Sequence, residues 1–413
     1  MSEIAEQTPP AADGPSPAAG GPSPATAKGL QPAAEGPPPA AAGQAGLAAP
    51  APAVQAALTD PFEIGGVAIG NRVLLAPLAG IGNWFVRLQA RRHGAGLAVS
   101  EMVSSFGLHH RNERTLRELM RIHPEEHPVS IQLFGHDAEV MRSAAATAAE
   151  AGADLIDINM GCPVRKVCKT GAGAALIEDP DLALGLVRGA REGSGLPVTV
   201  KVRSGLRVGD TSGYDLAIRL VEEAGAAAVG FHPRAATAGH AGRPDYERTR
   251  RLAERLTVPV IVSGGLRSAE AARHAYLASG ADAVMIARGA LGNPWVFEQL
   301  TGRRADAGPG PTPDEVATEL LWVIDRAEEH LGSERAARYL RKFYPWYMEW
   351  LEPPRELADE LQRDADLPRA RAIVDTLAKD ATTTTSASAG NEALTAAGRE
   401  VFTAAGREAV VTG

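Results

Sequence analysis

Between Val73 and Ala287 the chain repeats one pattern eight times: a short aliphatic, β-branched run, then in most cases a stretch of helical periodicity. The runs are Val73–Ala76, Leu97–Ser100, Val129–Leu133, Leu155–Asn159, Val198–Val202, Ala228–Phe231, Val260–Gly264 and Ala283–Ala287. They are apolar on both faces, which suits strands covered on both sides and therefore a parallel sheet. Segments such as Ala138–Ala153 and Ser268–Ala281 supply the helices, and several end in Ala-Gly-Ala or Ser-Gly-Ala, a glycine stop. Eight such units fit a (β/α)8 TIM barrel, which takes ~250 residues. A doubly wound sheet is the alternative. It would carry a Gly-rich nucleotide turn after its first strand, and Ala76–Trp84 lacks the G-x-G-x-x-G spacing.

The flanks read differently. Residues 1–57 hold 19 Ala, 12 Pro and 7 Gly and no aromatic residue, so they cannot bury enough apolar area to offset ordering. They are expected to be a disordered arm. Residues 58–303 are assigned to the barrel. From Pro311 to about residue 380 the apolar stripes have period 3.6 with no strand signal, which predicts a small all-α segment. It carries Trp322, Trp346 and Trp350 and the cations Arg338, Arg341, Lys342 and Arg355. Residues 381–413 read as a low-complexity tail.

Two cysteines make neither a disulfide framework nor a four-cysteine zinc site, and no metal site is expected. No apolar run reaches the ~18 residues of a membrane span. A soluble, cytoplasmic protein is expected. A net charge of −8 argues against a generally basic nucleic-acid binder but not against a local basic face. No protein partner is implied, and a monomer is expected.

In a barrel, chemistry sits at the C-terminal strand ends and in the loops that follow. Here nearly every such end is polar or glycine-rich. Ser263-Gly264-Gly265 and Ala287-Arg288-Gly289 follow the seventh and eighth strands, where barrels hold phosphorylated cofactors. Backbone N–H groups at glycines approach phosphate closely, and Arg288 adds charge. Ser-Gly-Gly alone is an ordinary turn; the second glycine-and-arginine turn one strand later strengthens the phosphate reading. Lys201 points inward from a strand end, which is costly without an anion or a polarisable ring as partner. A flavin ring is such a partner, and Gln132 either hydrogen-bonds its pyrimidine edge or simply caps a strand. His232 is either a satisfied core histidine or, with Arg234 on the same face of an extended chain, an anion contact.

Cys162 is the sharpest single candidate. It lies in a Gly-Cys-Pro turn after a strand, beside Asn159 and upstream of Arg165, Lys166 and Lys169. Such a basic neighbourhood is expected to favour thiolate and to mark a chemically used cysteine. Cys168 fits neither a CxxC pair nor a metal site and is given a structural role.

These residues, in this order, resemble the tRNA-dihydrouridine synthases. The resemblance runs from about Pro61 to Leu300 and more loosely to about residue 380. Its most specific piece is Asp157–Pro180, DINMGCPVRKVCKTGAGAALIEDP; LAPLAG, SIQLFG, VKVRSG and ARGALGNPWVF agree in order. The resemblance implies an FMN-dependent barrel followed by a helical tRNA-binding domain, with NADPH recharging the flavin. Cys162 would protonate C5 of the target uracil while hydride passes from flavin N5 to C6, as acid catalysis beside a hydride acceptor requires. Pro77, Leu78, Ala79, Gln132, Lys201 and His232 would contact FMN. Ser263, Gly264, Gly265, Ala287 and Arg288 would hold its phosphate end. Asn159, Arg203 and Arg234 would hold the substrate. The family commonly has His-Gly-Arg-Thr, Asn-Gly-Asp and Gly-Arg where this chain has His232-Pro-Arg-Ala, Ser263-Gly-Gly and Ala287-Arg288, so it looks like a divergent, bacterial-type member.

A folded RNA would be gripped mainly through phosphates. The candidate surfaces are Arg111, Arg114, Arg117 and Arg121, the loop cations Arg165, Lys166 and Lys169, and the cluster Arg338, Arg341 and Lys342, which reads equally well as a solvated helix face. Two other readings stand beside this one. An FMN barrel acting on a free pyrimidine, of the dihydroorotate dehydrogenase kind, would not need the C-terminal helices. A non-catalytic RNA-binding barrel would not need Cys162, Lys201 and Gln132.

Overall fold

The computed structural model describes residues 58–305, 310–363 and 366–379. The expectations for 1–57 and 381–413 lie outside the described residues.

The chain opens with a hairpin, β1 (Phe62–Ile64) and β2 (Val67–Ile69), that the alternation of the sequence did not suggest. The barrel strands follow: β3 (Val73–Leu75), β4 (Leu97–Val99), β6 (Val129–Phe134), β7 (Leu155–Met160), β8 (Val198–Arg203), β9 (Ala228–His232), β10 (Val260–Ser263) and β11 (Ala283–Ile286). A two-residue strand, β5 (Val103–Ser104), adds to β6 just past the end of β4. Each of the eight sequence-predicted runs falls on one of the barrel strands. All neighbours are parallel, β11 pairs with β3, and β4 pairs with β6, so the sheet is closed. This is a (β/α)8 barrel, and the doubly wound alternative is excluded by that closure.

The inner core joins Leu74, Leu97, Leu155, Ala228, Ile261 and Met285 of the barrel with Ile64 and Ile69 of the hairpin. The hairpin turn packs against Pro197 and Ala227, which lead into β8 and β9. The N-terminal end of the barrel is therefore plugged with apolar side chains, leaving the opposite mouth for chemistry.

Around the barrel the helices are capped as their sequences demand. The Asp137 side chain accepts from the Val140 N–H at 2.9 Å and starts helix Ala138–Glu150. Beyond the barrel come helices Pro313–Leu331, Ser333–Leu340, Tyr344–Leu351 and Arg355–Arg363, and a last one over 367–379. Thr312 and Glu315 form a reciprocal capping box at the first of these. Its buried face, with Val316, Leu320 and Ile324, shares one core with Trp84, Phe85 and Leu88 of helix Trp84–Arg92. Gln89 strengthens that seam by donating to Glu319 and to the Tyr347 hydroxyl, both at 2.9 Å. Among the described residues no helix is long and apolar enough to cross a membrane.

Arg87 and Glu126 form an ion pair at 2.6 Å with side chains 1% and 0% exposed. Arg87 also donates to the carbonyls of Gly82 (3.3 Å) and Arg121 (2.8 Å), tying the helix to two loops of the mouth. Removing one partner of such a pair leaves a buried charge alone. Glu126→Ala is expected to cost ~3–5 kcal/mol of stability. Thermal and urea unfolding check this, and a loss below ~1 kcal/mol, the value of a surface pair, would refute the assignment.

Candidate active site

Strand register builds the site. Gln132 of β6 lies beside Asp157 of β7, which lies beside Thr199 of β8. Two residues further up, Asn159 pairs with Lys201; two more, Arg203 pairs with His232 of β9. Side chains alternate along a strand, so these rungs share one face and point into the barrel.

The lowest rung is a closed hydrogen-bond network. The Thr199 hydroxyl donates to Asp157 Oδ1 and Gln132 Nε2 donates to Asp157 Oδ2, each at 2.6 Å. Asn159 Nδ2 donates to Gln132 Oε1 at 3.0 Å. The Asn159 Oδ1 then accepts the backbone N–H groups of Cys162 (3.0 Å) and Gly161 (3.3 Å). Asp157 is buried, and burial pushes its carboxyl up against the opposing bonds from Thr199 and Gln132 and the charge of Lys201.

Lys201 reaches across Gly230 to Ser263, donating to its hydroxyl at 3.0 Å. A side chain at 230 would come within 3.3 Å of the lysine stem, so the small residue keeps this path open. Burial, then Arg203, lower the ammonium to about 8. His232 is also buried, and its pKa is driven far down by desolvation and by the cations around it. It is a neutral imidazole whose Nε2 lies 3.3 Å from Arg234 Nη1. Gly264 sits directly on that ring with φ +98°; a Cβ there would be 2.3 Å from Nε2. Gly265 follows at φ +86°. Only glycine keeps both the turn and the histidine.

Above these rungs opens a cavity of about 310 Å³. Pro77, Asn159, Cys162, Lys201, Arg203 and His232 line one part of it. Ser263, Gly264, Gly265, Ala287 and Arg288 line another. Gln132 is fully buried beneath, in contact through Asn159. Three expected residues lie elsewhere. The Leu78 side chain packs in the barrel–helix core and Ala79 is exposed beside it. Arg234 stands behind His232 and donates to the Gly242 carbonyl at 3.0 Å. Arg203 lines the cavity but is largely committed to backbone: Nε donates to Gly161 O (2.9 Å) and Nη1 to Gly239 O (2.8 Å).

Sequence reasoning missed Asp157, His240 and Arg267. Asp157 was legible as a polar residue on the inward face of an otherwise apolar strand. His240 and Arg267 also line the cavity, from the loops after β9 and β10, and carried no periodic signal. The His240 ring lies stacked near His232, with centroids 6.3 Å apart.

The thiolate expectation for Cys162 is corrected. Arg165, Lys166 and Lys169 point to solvent, and burial dominates, pushing the thiol up from its usual value against the Val164 N–H and Arg203. That shift favours the protonated thiol, a form suited to giving a proton rather than attacking as thiolate. Cys168 serves structure, its thiol donating to the Cys162 carbonyl at 3.2 Å.

The arginines considered for RNA are partly neutralised. Arg114, Arg117 and Arg335 all converge on Glu118, and Arg121 pairs with Glu329 while stacking over Trp84. Lys342 donates to the Gly80 carbonyl at the barrel rim.

A closed parallel barrel with one open mouth, holding a proton-bearing thiol and an arginine-and-glycine anion cradle in the same cavity, is the frame of a cofactor-using (β/α)8 enzyme. The chain belongs to the dihydrouridine synthase family, whose family model matches residues 74–383. It is 36% identical over 312 residues to tRNA-dihydrouridine synthase B of Pseudomonas aeruginosa, covering 74% of this chain and 92% of that one. The corresponding protein of Pseudomonas putida is 35% identical over 289 residues, covering 69% and 85%. A probable tRNA-dihydrouridine synthase of Rhizobium leguminosarum is 37% identical over 287 residues, covering 70% and 88%.

The protonated state of Cys162 is directly measurable. Its alkylation by iodoacetamide, followed peptide by peptide, should rise with pH with a midpoint above the ~8.5 of a free thiol. A midpoint below neutrality would restore the thiolate reading.

Proposed function

We propose that this protein reduces uridines in tRNA to 5,6-dihydrouridine in the cytoplasm, as a monomer, with FMN as its redox group and NADPH as reductant. The observation that carries the proposal is the meeting, in one cavity, of the protonated Cys162 with a cradle suited to a phosphorylated cofactor. The names of its relatives point the same way.

The residues present fit FMN. Gly264 and Gly265 offer backbone N–H groups without side chains, and Arg267 and Arg288 add charge where a phosphate would sit. Lys201 is the group for the ring's polar edge, and Gln132, buried beneath the cavity, supports it through Asn159. Reduced FMN supplies hydride chemistry to such a site.

The chain's own residues do the rest. Asn159 and Arg203 orient the uracil at the cavity wall. Hydride arriving at C6 breaks the C5=C6 double bond, and the electron pair left toward C5 takes the proton from Cys162 Sγ. A base inside a folded tRNA has to leave its stack to reach this depth. Arg165, Lys166 and Lys169, exposed beside the mouth, are placed to meet phosphates around a flipped nucleotide.

Purified protein, NADPH and unmodified tRNA transcript should yield nucleosides two hydrogens heavier than uridine by mass spectrometry. Cys162→Ala should lower the yield ~10²–10⁴-fold, the usual range for a lost general acid. NADPH oxidation without change in the tRNA would instead favour a free pyrimidine substrate.

Lys201 gives a pH test. Its ammonium is charged below about 8 and neutral above, so an anionic ligand loses its partner as pH rises. The affinity of flavin-free protein for FMN, read by fluorescence quenching, should begin to weaken above about pH 8. Lys201→Met should bind weakly at every pH with no such inflection; an unchanged profile would remove Lys201 from the cofactor site.

A further inference from the structure

We infer that Asp157 is a positioning residue for Cys162: it sets the direction of the amide relay that ties the barrel interior to the turn that carries the thiol. The chain of contacts runs from the Asp157 carboxylate through two amides to two backbone N–H groups. A carboxylate only accepts, and a backbone N–H only donates. Between such ends two amides in series have one consistent arrangement. Gln132 must turn its NH2 toward Asp157, so its oxygen faces Asn159. Asn159 must then give its NH2 to Gln132, so its oxygen faces Gly161 and Cys162.

The two backbone N–H groups fix Asn159 from the other end, and the Met102 thioether, a weak acceptor 3.9 Å from Asn159 Nδ2, favours the same turn of that amide; for Gln132 the order comes from Asp157. The Thr199 hydroxyl, the remaining partner of Asp157, both donates and accepts. Gln132 is wholly buried and cannot turn to water for a substitute bond. An amide at 157 could present its NH2 to Gln132, letting Gln132 and then Asn159 reverse, so that the Asn159 NH2 would oppose two backbone donors. The turn bearing Cys162 would lose its Asn159 anchor and be held only through its carbonyls, by Arg203, Ala174 and Cys168.

The role in turnover rests on the reading of Cys162 as the acid, but the inference is tested on the thiol itself. Asp157→Asn preserves shape and removes only the direction. Alkylation of Cys162 in the full-length holoprotein, separated from Cys168 by peptide mass spectrometry, should become about fivefold faster, the population shift that accompanies one lost net hydrogen bond. The double exchange Asp157→Asn with Gln132→Glu restores the order: a carboxylate at 132 accepts from the amides at both 157 and 159. It should return the rate to within about twofold of the parent, as judged against the size of one hydrogen bond. Thr199→Val, which removes a donor without freeing the direction, should leave Cys162 alkylation unchanged.

An unaltered rate in Asp157→Asn, or no recovery in the double exchange, overturns the inference. If Asp157→Asn does not fold, refolding by the double exchange supports it and failure of both refutes it. A protein inactive on tRNA that still shows this alkylation pattern would sink the proposed function and leave the positioning role standing.

Discussion

Pairing of Val284 with Val73, Met285 with Leu74 and Ile286 with Leu75 joins the last barrel strand to the first, and the Ala76 N–H extends the seam to Ile286 O at 2.8 Å. That closure turns an open sheet with two vulnerable edges into a barrel with none. It also brings Pro77, after the first strand, to the same cavity as Ala287 and Arg288, after the last. With the hairpin plugging the opposite end, the mouth is the place where inward side chains can be polar and still reach a ligand.

Desolvation acts on that mouth in one consistent sense, toward neutral forms. It raises Cys162 and Asp157 and lowers Lys201 and His232. The consequences differ because the partners differ. Cys162 keeps a proton to give. His232 becomes an uncharged wall pressed on Gly264. Lys201 is poised near the pH of the cell, so an anionic partner decides its charge. Arg203, a permanent cation, is held by carbonyls of two loops and so contributes shape as much as field.

The C-terminal helices are part of this arrangement rather than an appendage. The Tyr339 hydroxyl accepts from Asn83 at 2.8 Å and donates to the Ile81 carbonyl at 3.2 Å, and Lys342 reaches the Gly80 carbonyl. These contacts grip the turn that follows the first barrel strand, a few residues beyond Pro77. The arginines gathered on Glu118 belong to the same seam, which explains why a count of surface cations overstates what is left to meet phosphate.

The eight strands, their parallel sense and the helical ending were legible because each rests on a local pattern: β-branched runs apolar on both faces, and stripes of period 3.6. The residues at the strand ends were legible for the same reason, since a polar side chain after a buried strand has few places to go. Leu78 and Ala79 lie off the cavity because their turn, closed by the Leu78 carbonyl accepting from Ile81 and Gly82, sends the leucine back into the core. The ionisation of Cys162 was misjudged because proximity in sequence does not say whether a lysine points to the thiol or to water. His240 and Arg267 come to the cavity on irregular loops, where spacing carries no period. The sequence by itself determined the barrel, its polar mouth and the residue types available there, since hydrophobic periodicity is a local property. Only the tertiary structure decided which strands lie in register, and so that Gln132, Asp157, Asn159 and Cys162 form one chain of bonds: pairing is a contact between distant segments, and burial, which sets each charge, exists only once they meet.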